Sequence, residues 1–331
     1  MATAGAPSSC GAGGRAAGKL QSKLLCRSDS SWAKPFQFDW SEEYLAIGGF
    51  WRKVLLAHLK LCASRVFVLQ AYPTQSHEML FDAHTRAFTV LGGIPRRRPR
   101  AAPICDNMKT AVDKVKKGKA RIINTRFAAM SSHYLFDTDF CNVASGREKG
   151  VVEKNVQDSR RRIWQDAGHE RFGSFTELNV WPLARCRALW QELRDTEFEN
   201  LTIAGMLEHG QPSLMPMVTP FDGYVETLGK VSSTSLVVEN RNHTSVPCEL
   251  VGQMVSIRIY PERIDFVAHD AVVASHPRSF ERKSTLYDWQ HYIPLIERKP
   301  GALRNGAPFA DMSAPLQQLR GLLLKREGGD R

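Results

Sequence analysis

The first structured pattern in the chain alternates apolar and polar side chains. In Phe36–Trp40 the aromatic residues fall on one face and the polar residues on the other, which is the period of a half-buried β-strand. A Gly-Gly pair at 48–49 predicts a turn. The runs Val54–Leu61 and Val66–Tyr72 are apolar and contain β-branched residues, so they predict two further strands. Three strands joined by short connections predict an antiparallel meander.

Helical spacing of apolar residues comes after the meander. It extends over Gln75–Leu91 and ends at the Gly-Gly pair at 92–93. The other predicted helices are Asn107–Val115, Phe127–His133, Glu148–Trp164, Phe175–Leu193 and Pro315–Arg326. Two extended segments, Ile104–Asp106 and Tyr134–Phe140, are predicted between them. The first two thirds of the chain therefore mix strands and helices.

Three prolines at four-residue intervals mark a change in the pattern. Pro212, Pro216 and Pro220 exclude a helix and predict a linker at a domain boundary. The strands predicted beyond them are Ser235–Glu239, Thr244–Pro247, Val255–Tyr260, Ile264–Ala268 and Ala271–Ser275. Short strands at this spacing predict a small β-barrel. No stretch approaches the ~20 apolar residues that cross a bilayer, so we expect no membrane span.

The charge of the chain adds a candidate partner to this outline. The 331 residues carry a formal net charge of +11. Ten basic and two acidic residues lie between Arg96 and Arg121, so much of the excess falls in one region. A concentrated basic region is typical of proteins that bind a polyanion such as nucleic acid. The composition is otherwise that of an ordinary globular protein, which excludes fibrous and wholly disordered classes.

Acidic residues on three elements suggest a more specific chemistry. Asp39 lies in the middle of a predicted strand, Asp106 ends a short strand inside the basic region, and Glu148 and Glu153 lie on the predicted helix that follows. Carboxylates at strand centres are costly unless they are paired or bind a metal. Carboxylate oxygens that converge beside a basic surface would suit two Mg²⁺ ions acting on a phosphodiester. The alternative is structural: Asp39 is a surface acid and Asp106 caps a helix.

Four blocks of sequence resemble a known family. They are Phe36–Glu42 (FQFDWSE), Asp106–Val112 (DNMKTAV), Ser145–Asn155 (SGREKGVVEKN) and Glu297–Phe309 (ERKPGALRNGAPF). In this order they are similar to the acidic blocks and the carboxy-terminal region of IstA-type insertion-sequence transposases. These enzymes belong to the DDE group, which is related to retroviral integrases. The resemblance covers about residues 35–331.

The resemblance implies an α/β fold with a ribonuclease-H-like mixed sheet flanked by helices, followed by a small all-β barrel. It implies an integrase-type catalytic core at 35–200 and a linker at 201–222, whereas the Ala-, Gly- and Ser-rich composition of 1–34 predicts a disordered arm. The barrel would occupy 223–280 and a tail 281–331. It also implies that Asp39, Asp106 and Glu153 are the catalytic, metal-binding residues. The expected cofactor is Mg²⁺ or Mn²⁺, with two ions when DNA is bound.

Glu148 is an alternative third acid. It lies five residues before Glu153, which is about 140° around a helix, so one of the two faces the aspartates more easily. Alignment with the family favours Glu153. The residues expected to bind DNA are basic side chains near these acids. They are Lys109, Lys116, Lys117, Lys119, Lys149, Lys154, Arg160 and Arg161.

The resemblance also implies a reaction and partners. The reaction is metal-dependent cleavage of DNA at the ends of a mobile element, followed by strand transfer into target DNA. The expected partners are element-end and target DNA, an IstB-like ATPase helper and further copies of the chain, assembled on DNA. We expect a bacterial cytoplasmic protein that associates with the nucleoid when it binds DNA.

Some positions depart from the family pattern. An Ala-, Gly- and Ser-rich arm precedes Phe36, where the family has a helix-turn-helix region. The segment before Asp106 is longer than usual and contains two more prolines, Pro99 and Pro103. These departures leave a second hypothesis open, that the chain is a truncated, catalytically inactive DNA-binding remnant of a transposase.

Overall fold

The computed structural model describes residues 36–95, 104–105, 112–115, 121–136, 139–140, 161–298, 306–309, 312 and 314–325. The described residues form two compact units of a mixed α/β protein. The first unit runs to Phe221, and the second begins at Asp222. The second unit also includes His77–Asp82. No helix among the described residues has the length and apolar character that crossing a membrane requires.

The first unit contains a five-stranded mixed sheet. The strands of this unit are β1 (Phe36–Ile47), β2 (Phe50–Leu61), β3 (Phe67–Tyr72), β4 (Ile104–Cys105), β5 (Val112–Val115), β6 (Arg121–Ile123) and β7 (Asp139–Phe140). The sheet has the order β3-β2-β1-β4-β7, and β5 and β6 form a separate pair. Strands β1, β2 and β3 are antiparallel neighbours, which confirms the predicted meander. Strands β4 and β7 extend the sheet in parallel with β1.

The turn between β1 and β2 depends on its two glycines. Gly48 and Gly49 have φ angles of 60° and 81°, a left-handed region that side chains disfavour. Two consecutive residues of this kind match the twist of an antiparallel hairpin. The register pairs Ile47 with Phe50 directly across the turn. The strands are therefore longer than the sequence predicted and continue to the very end of the hairpin.

Helices surround this sheet. They are α1 (His77–Leu91), α2 (Thr125–His133), α3 (161–167), α4 (Phe175–Glu192) and α5 (Ile203–Gly210). Helices α1, α2 and α4 confirm three of the predicted helices. The prediction of a helix over Asn107–Val115 was wrong at its described end, because Val112–Val115 is strand β5 paired with β6. The rest of that segment lies outside the described residues, as does 148–160 of the predicted Glu148–Trp164 helix.

Side chains of helix α4 form hydrogen bonds with backbone groups of the edge strand β3. The Asn179 side chain accepts a hydrogen bond from the Ala71 N–H and donates one to the Ala71 carbonyl. One face of the helix continues this pattern, since Trp190 Nε1–H donates to the carbonyl of Phe67. Burial raises the pKa of the Cys186 thiol between them to about 12, so this cysteine stays a protonated core residue. An edge strand covered in this way is protected from pairing with another chain.

The second unit is built mainly from short antiparallel strands. They are β8 (Val225–Lys230), β9 (Leu236–Glu239), β10 (Asn242–Ser245), β11 (Met254–Ile259), β12 (Arg263–Ala268), β13 (Ala271–Pro277) and β14 (Thr285–Leu286). One sheet has the order β13-β12-β11-β8 and the other β14-β10-β9. Strand β8 was not predicted from the sequence, because it carries more exposed than buried positions. Helices α6 (Ile293–Arg298) and α7 (Ala314–Leu324) come after these sheets in the chain.

A buried ion pair lies within the second unit. The Arg278 guanidinium donates to Glu78 Oε1 at 2.8 Å, and their side chains are only 8% and 3% exposed. Arg278 also donates to the carbonyl of Tyr260. Burial raises the pKa of the neighbouring Glu239 carboxyl; Arg278 opposes that change and Glu78 adds to it. One guanidinium therefore compensates the buried Glu78 and favours the charged form of the half-buried Glu239.

Two histidines of the second unit, the buried His276 and the partly buried His291, also have polar partners. The ring of His276 hydrogen-bonds through Nε2 to the Ser245 carbonyl, and His291 through Nδ1 to the Ser245 hydroxyl. Burial lowers the pKa of both histidines below the usual 6.5, although Asp288 opposes this. Both rings are therefore held in the neutral form at neutral pH.

We expect Arg278→Met to lower the free energy of unfolding of the second unit by about 3–5 kcal/mol, because Glu78 would remain buried without its cation. The measurement is native-state hydrogen exchange of the strands β10 to β13. Lys53→Met is the matched control, since Lys53 pairs with Glu42 at the surface and such pairs contribute under about 1 kcal/mol. Equal losses in the two variants would contradict a special role for burial.

The second unit should also lose stability as the pH falls below about 6.5. The unfolded chain then binds protons on His276 and His291 that the folded chain resists, so protonation favours unfolding. Hydrogen exchange at pH 7.5 and pH 5.5, at constant ionic strength, measures this slope. A His276→Gln/His291→Gln double variant should show a shallower slope between these values. If the slope is the same in both proteins, the two histidines are not its source.

Candidate active site

Asp39 is the fourth residue of β1, the central strand of the five-stranded sheet. On one side, β1 pairs with β2, and Asp39 is directly opposite His58. On the other side, β1 pairs in parallel with β4, and Phe38 is opposite Cys105. Pairing of Asp39 with β2, and of the preceding Phe38 with both β2 and β4, restricts the backbone here, so the position of the Asp39 side chain is well defined. The sequence prediction that Asp39 belongs to a strand is confirmed.

An aromatic layer holds the opposite face of this strand. Phe36 and Phe38 are almost completely buried, at 0% and 2% exposure. The Phe38 ring stacks on His84 of helix α1, with centroids 4.3 Å apart, and Phe36 meets Phe136 edge to face. The helical pattern around His84 allowed a packed or a surface position, and the residue lies in the core at 0% exposure. These contacts fix β1 on one face of the sheet, and the Asp39 side chain lies on the opposite face.

The Asp39 carboxylate is half-buried and already hydrogen-bonded. Its Oδ1 accepts a hydrogen bond from the Trp40 N–H at 2.8 Å. Its neighbour His58 is buried at 3% exposure and stacks on Phe67. A partly buried carboxylate beside a sheet provides hard oxygen donors, which are the ligands that Mg²⁺ and Mn²⁺ accept. The donor chemistry of Asp39 therefore fits a divalent metal, although one carboxylate alone is not a site.

Most of the other predicted site residues lie outside the described residues. They are Asp106, Glu153, Glu148, Lys109, Lys116, Lys117, Lys119, Lys149, Lys154 and Arg160. Arg161 is described, and it is exposed on helix α3. Among the described ranges, no group of three His, Cys, Asp or Glu side chains is placed to hold a metal. The structure does bring together Phe38 and Cys105, the residues that immediately precede the two predicted aspartates.

One group of exposed side chains in this unit was not predicted from the sequence. Phe50 and Trp51, which come directly after the glycine turn, are 68% and 72% exposed. Two consecutive residues in a strand point to opposite faces, so a pair of large aromatics leaves one of them facing outward unless both faces are covered. This signal was present in the sequence, but the strand was predicted to begin only at Val54.

The family model and the two curated relatives that follow are all described as transposases. The family described as Mu transposase, C-terminal domain, matches residues 215–288. The transposase for insertion sequences IS1326/IS1353 of Pseudomonas aeruginosa is 50% identical over 301 residues, which cover 89% of this chain and 58% of that protein. The transposase for insertion sequence element IS21, also of Pseudomonas aeruginosa, is 31% identical over 84% of this chain and 69% of its own length.

A solved structure also shows a weak likeness. It is the cryoEM structure of a simian T-cell lymphotropic virus intasome in complex with the PP2A regulatory subunit B56 gamma. The TM-score is 0.41 at 10% identity, over 74% of this chain and 76% of the matched chain. The chain spans a little over half the length of the IS1326/IS1353 relatives that it matches.

Proposed function

The chain belongs to the family of insertion-sequence transposases, and from this membership we propose that it cleaves DNA at element ends and transfers the cut strand to target DNA. The observation that carries the proposal is the parallel pairing of Phe38 with Cys105. Asp39 and Asp106 are the residues that directly follow this pair in the sequence. Neighbouring strands lie about 4.8 Å apart, so this pairing supports two carboxylates at adjacent positions.

We further propose that the first unit has a ribonuclease-H-like fold and that the second is a small β-barrel. The sheet order β3-β2-β1-β4-β7, with three antiparallel strands and then two parallel ones, supports the first assignment. Two small sheets of mostly antiparallel strands support the second. The proposed domains are a catalytic core at 35–200, a linker at 201–222 and a barrel at 223–280, with an arm at 1–34 and a tail at 281–331.

Asp39, Asp106 and Glu153 would hold Mg²⁺ or Mn²⁺. When bound, such ions activate water or a 3′-hydroxyl and stabilise the oxygen that leaves a phosphodiester. The contribution of the chain itself is positional. Pairing of β1 with β2 at Asp39 and with β4 at the preceding Phe38 holds the backbone, and the Trp40 N–H orients one oxygen of the Asp39 carboxylate. The buried Phe38 and His84 rings prevent the strand from shifting.

The proposed partners are those that this reaction requires. The basic residues Lys109, Lys116, Lys117, Lys119, Lys149, Lys154, Arg160 and Arg161 would bind the phosphate backbone. Bringing two element ends together requires more than one copy of the chain, and an IstB-like ATPase would select the target. A protein with these partners would act in the bacterial cytoplasm, where the DNA is.

We expect Asp39→Asn to lower metal-dependent nicking of element-end DNA at least about 100-fold, which corresponds to about 2.7 kcal/mol of transition-state stabilisation. The amide keeps the shape of the side chain but removes its negative charge. Glu43→Gln, on the same strand, is the matched control and should keep its activity. Wild-type protein that binds the DNA but never nicks it with Mg²⁺ or Mn²⁺ would refute the proposed reaction and leave the inactive remnant as the function.

The third acid can be assigned in the same assay. We expect Glu153→Gln to lower nicking as strongly as Asp39→Asn does, while Glu148→Gln changes it less than about 10-fold. The reason is that residues five apart on a helix lie about 140° apart, so one of them faces away from the aspartates. The opposite order of the two effects would transfer the role to Glu148.

A further inference from the structure

The end of the β1–β2 hairpin presents large aromatic rings to solvent. We call Phe50, Trp51 and Arg52 the hairpin tip. The two rings are 68% and 72% exposed, and the turn before them carries no side chains because it consists of Gly48 and Gly49. Large apolar side chains grouped at the surface of a protein usually mark a contact surface. The rings are therefore the outermost features of this end of the sheet.

The hairpin tip is held rigidly. Below it, Leu45, Ile47 and Val54 belong to one buried cluster with Ala167 and Phe172. The Gly48 N–H also donates to the Phe172 carbonyl at 2.8 Å. Because the base of the hairpin is packed and the turn is anchored, the rings cannot fold back onto the core. A rigid support of this kind lowers the entropy lost when the rings bind a partner.

Each face of the hairpin combines an aromatic ring with a basic side chain. Phe50 and Arg52 share one face, and the guanidinium lies 5.8 Å from the centre of the Phe50 ring. Trp51 and Lys53 share the other face, where Lys53 pairs with Glu42. Arg171, next to the anchoring Phe172, is also exposed. Aromatic rings interleaved with cations are typical of surfaces that stack on nucleic-acid bases and contact phosphates.

The exposed area favours nucleic acid over a second copy of the chain. An aromatic side chain has about 150–250 Å² of surface, so the two rings expose about 200–350 Å² together. A stable protein interface needs roughly 800 Å² from each partner. One or two bases stacked on a ring need no more than the area available here.

We propose that the hairpin tip binds DNA whose bases have lost their pairing, by stacking of Trp51 and Phe50 and by phosphate contacts from Arg52 and Arg171. This inference rests on the proposed function, because cutting and joining single strands produces unpaired bases. Trp51 pairs with Ala46, seven residues from Asp39 on the same strand. At ~3.4 Å per residue this is about 24 Å, or about seven base pairs from the cleavage position.

The test is equilibrium binding of the full chain to two DNAs of equal length, one fully paired and one with an unpaired segment. The protein carries Asp39→Asn and no metal is added, so cleavage does not interfere. We expect Trp51→Ala to weaken binding of the unpaired DNA by about 5- to 100-fold and of the paired DNA by less than about 2-fold. Trp51→Phe should retain most of the affinity, because it keeps a ring.

Two further variants separate stacking from charge and from a general surface effect. Arg52→Ala should lower the slope of log affinity against log salt by roughly one, whereas Trp51→Ala should leave that slope unchanged. Val238→Ala is the matched control, since Val238 is an exposed apolar residue of the second unit and its loss should change binding of neither DNA. Hydrogen exchange of β1 and β2 verifies that each variant keeps its fold.

Several outcomes would overturn the inference. The first is that adding Trp51→Ala to the Asp39→Asn protein changes the affinity for neither DNA. The second is that Trp51→Phe weakens binding as much as Trp51→Ala does. The third is that the Asp39→Asn protein binds neither DNA. A change in sedimentation mass without a change in DNA affinity would instead assign the tip to contacts between copies. If the Asp39→Asn protein binds as expected but the protein with Asp39 never nicks DNA, the proposed function alone is refuted. If the protein with Asp39 nicks DNA normally and Trp51→Ala does not change DNA binding, this inference alone is refuted.

Discussion

The first unit depends on the pairing of strand β1 along both of its edges. The antiparallel ladder to β2 fixes the length of β1, and the parallel pairing with β4 fixes which residues lie beside Phe38 and Gln37. Placing a carboxylate in such a strand is unfavourable unless the other face supplies enough burial. The layer of Phe36, Phe38 and His84 supplies that burial. Asp39 is therefore held both by packing on the opposite face of its strand and by its hydrogen bond from the Trp40 N–H.

The elements that could be predicted from the sequence are those whose burial repeats regularly. Strand β1 begins with alternating buried positions, β2 and β3 are continuous buried runs, and α1 and α4 have buried faces at helical spacing. The bounds of the two helices were close, whereas β1 and β2 extend seven and four residues further towards the turn than predicted. The error at Val112–Val115 has a physical reason. Lys114 and Asp113 resemble an exposed helix, but pairing with β6 overrides that local preference. The proposed site was predicted from acidic residues on two strands and a helix together with the family resemblance, and of these residues Asp39 lies in a strand as predicted.

Other features could not be predicted, because they join residues that are distant in the sequence. Glu78 and Arg278 are 200 positions apart, and the residues around neither of them predict a buried ion pair. The same holds for Asn179, whose amide completes the backbone of β3 at Ala71 from 108 residues away. Side chains that satisfy a remote backbone group look like ordinary polar residues of an amphipathic helix. Only tertiary structure distinguishes them.

The hairpin also separates two demands that usually conflict. A site for chemistry requires rigid, buried support, whereas a surface that binds a partner must leave apolar groups in water, which forgoes stabilisation of about 25 cal/mol for each Å². Here one hairpin meets both demands at different points, because Asp39 of β1 lies beside the aromatic layer and the rings of Phe50 and Trp51 of β2 lie beyond Ile47, the last core residue of β1. Since β1 and β2 are paired without interruption between these points, their separation is set by the number of strand residues. A change of two residues in the length of both strands would move the tip by about 7 Å and leave the surroundings of Asp39 unaltered.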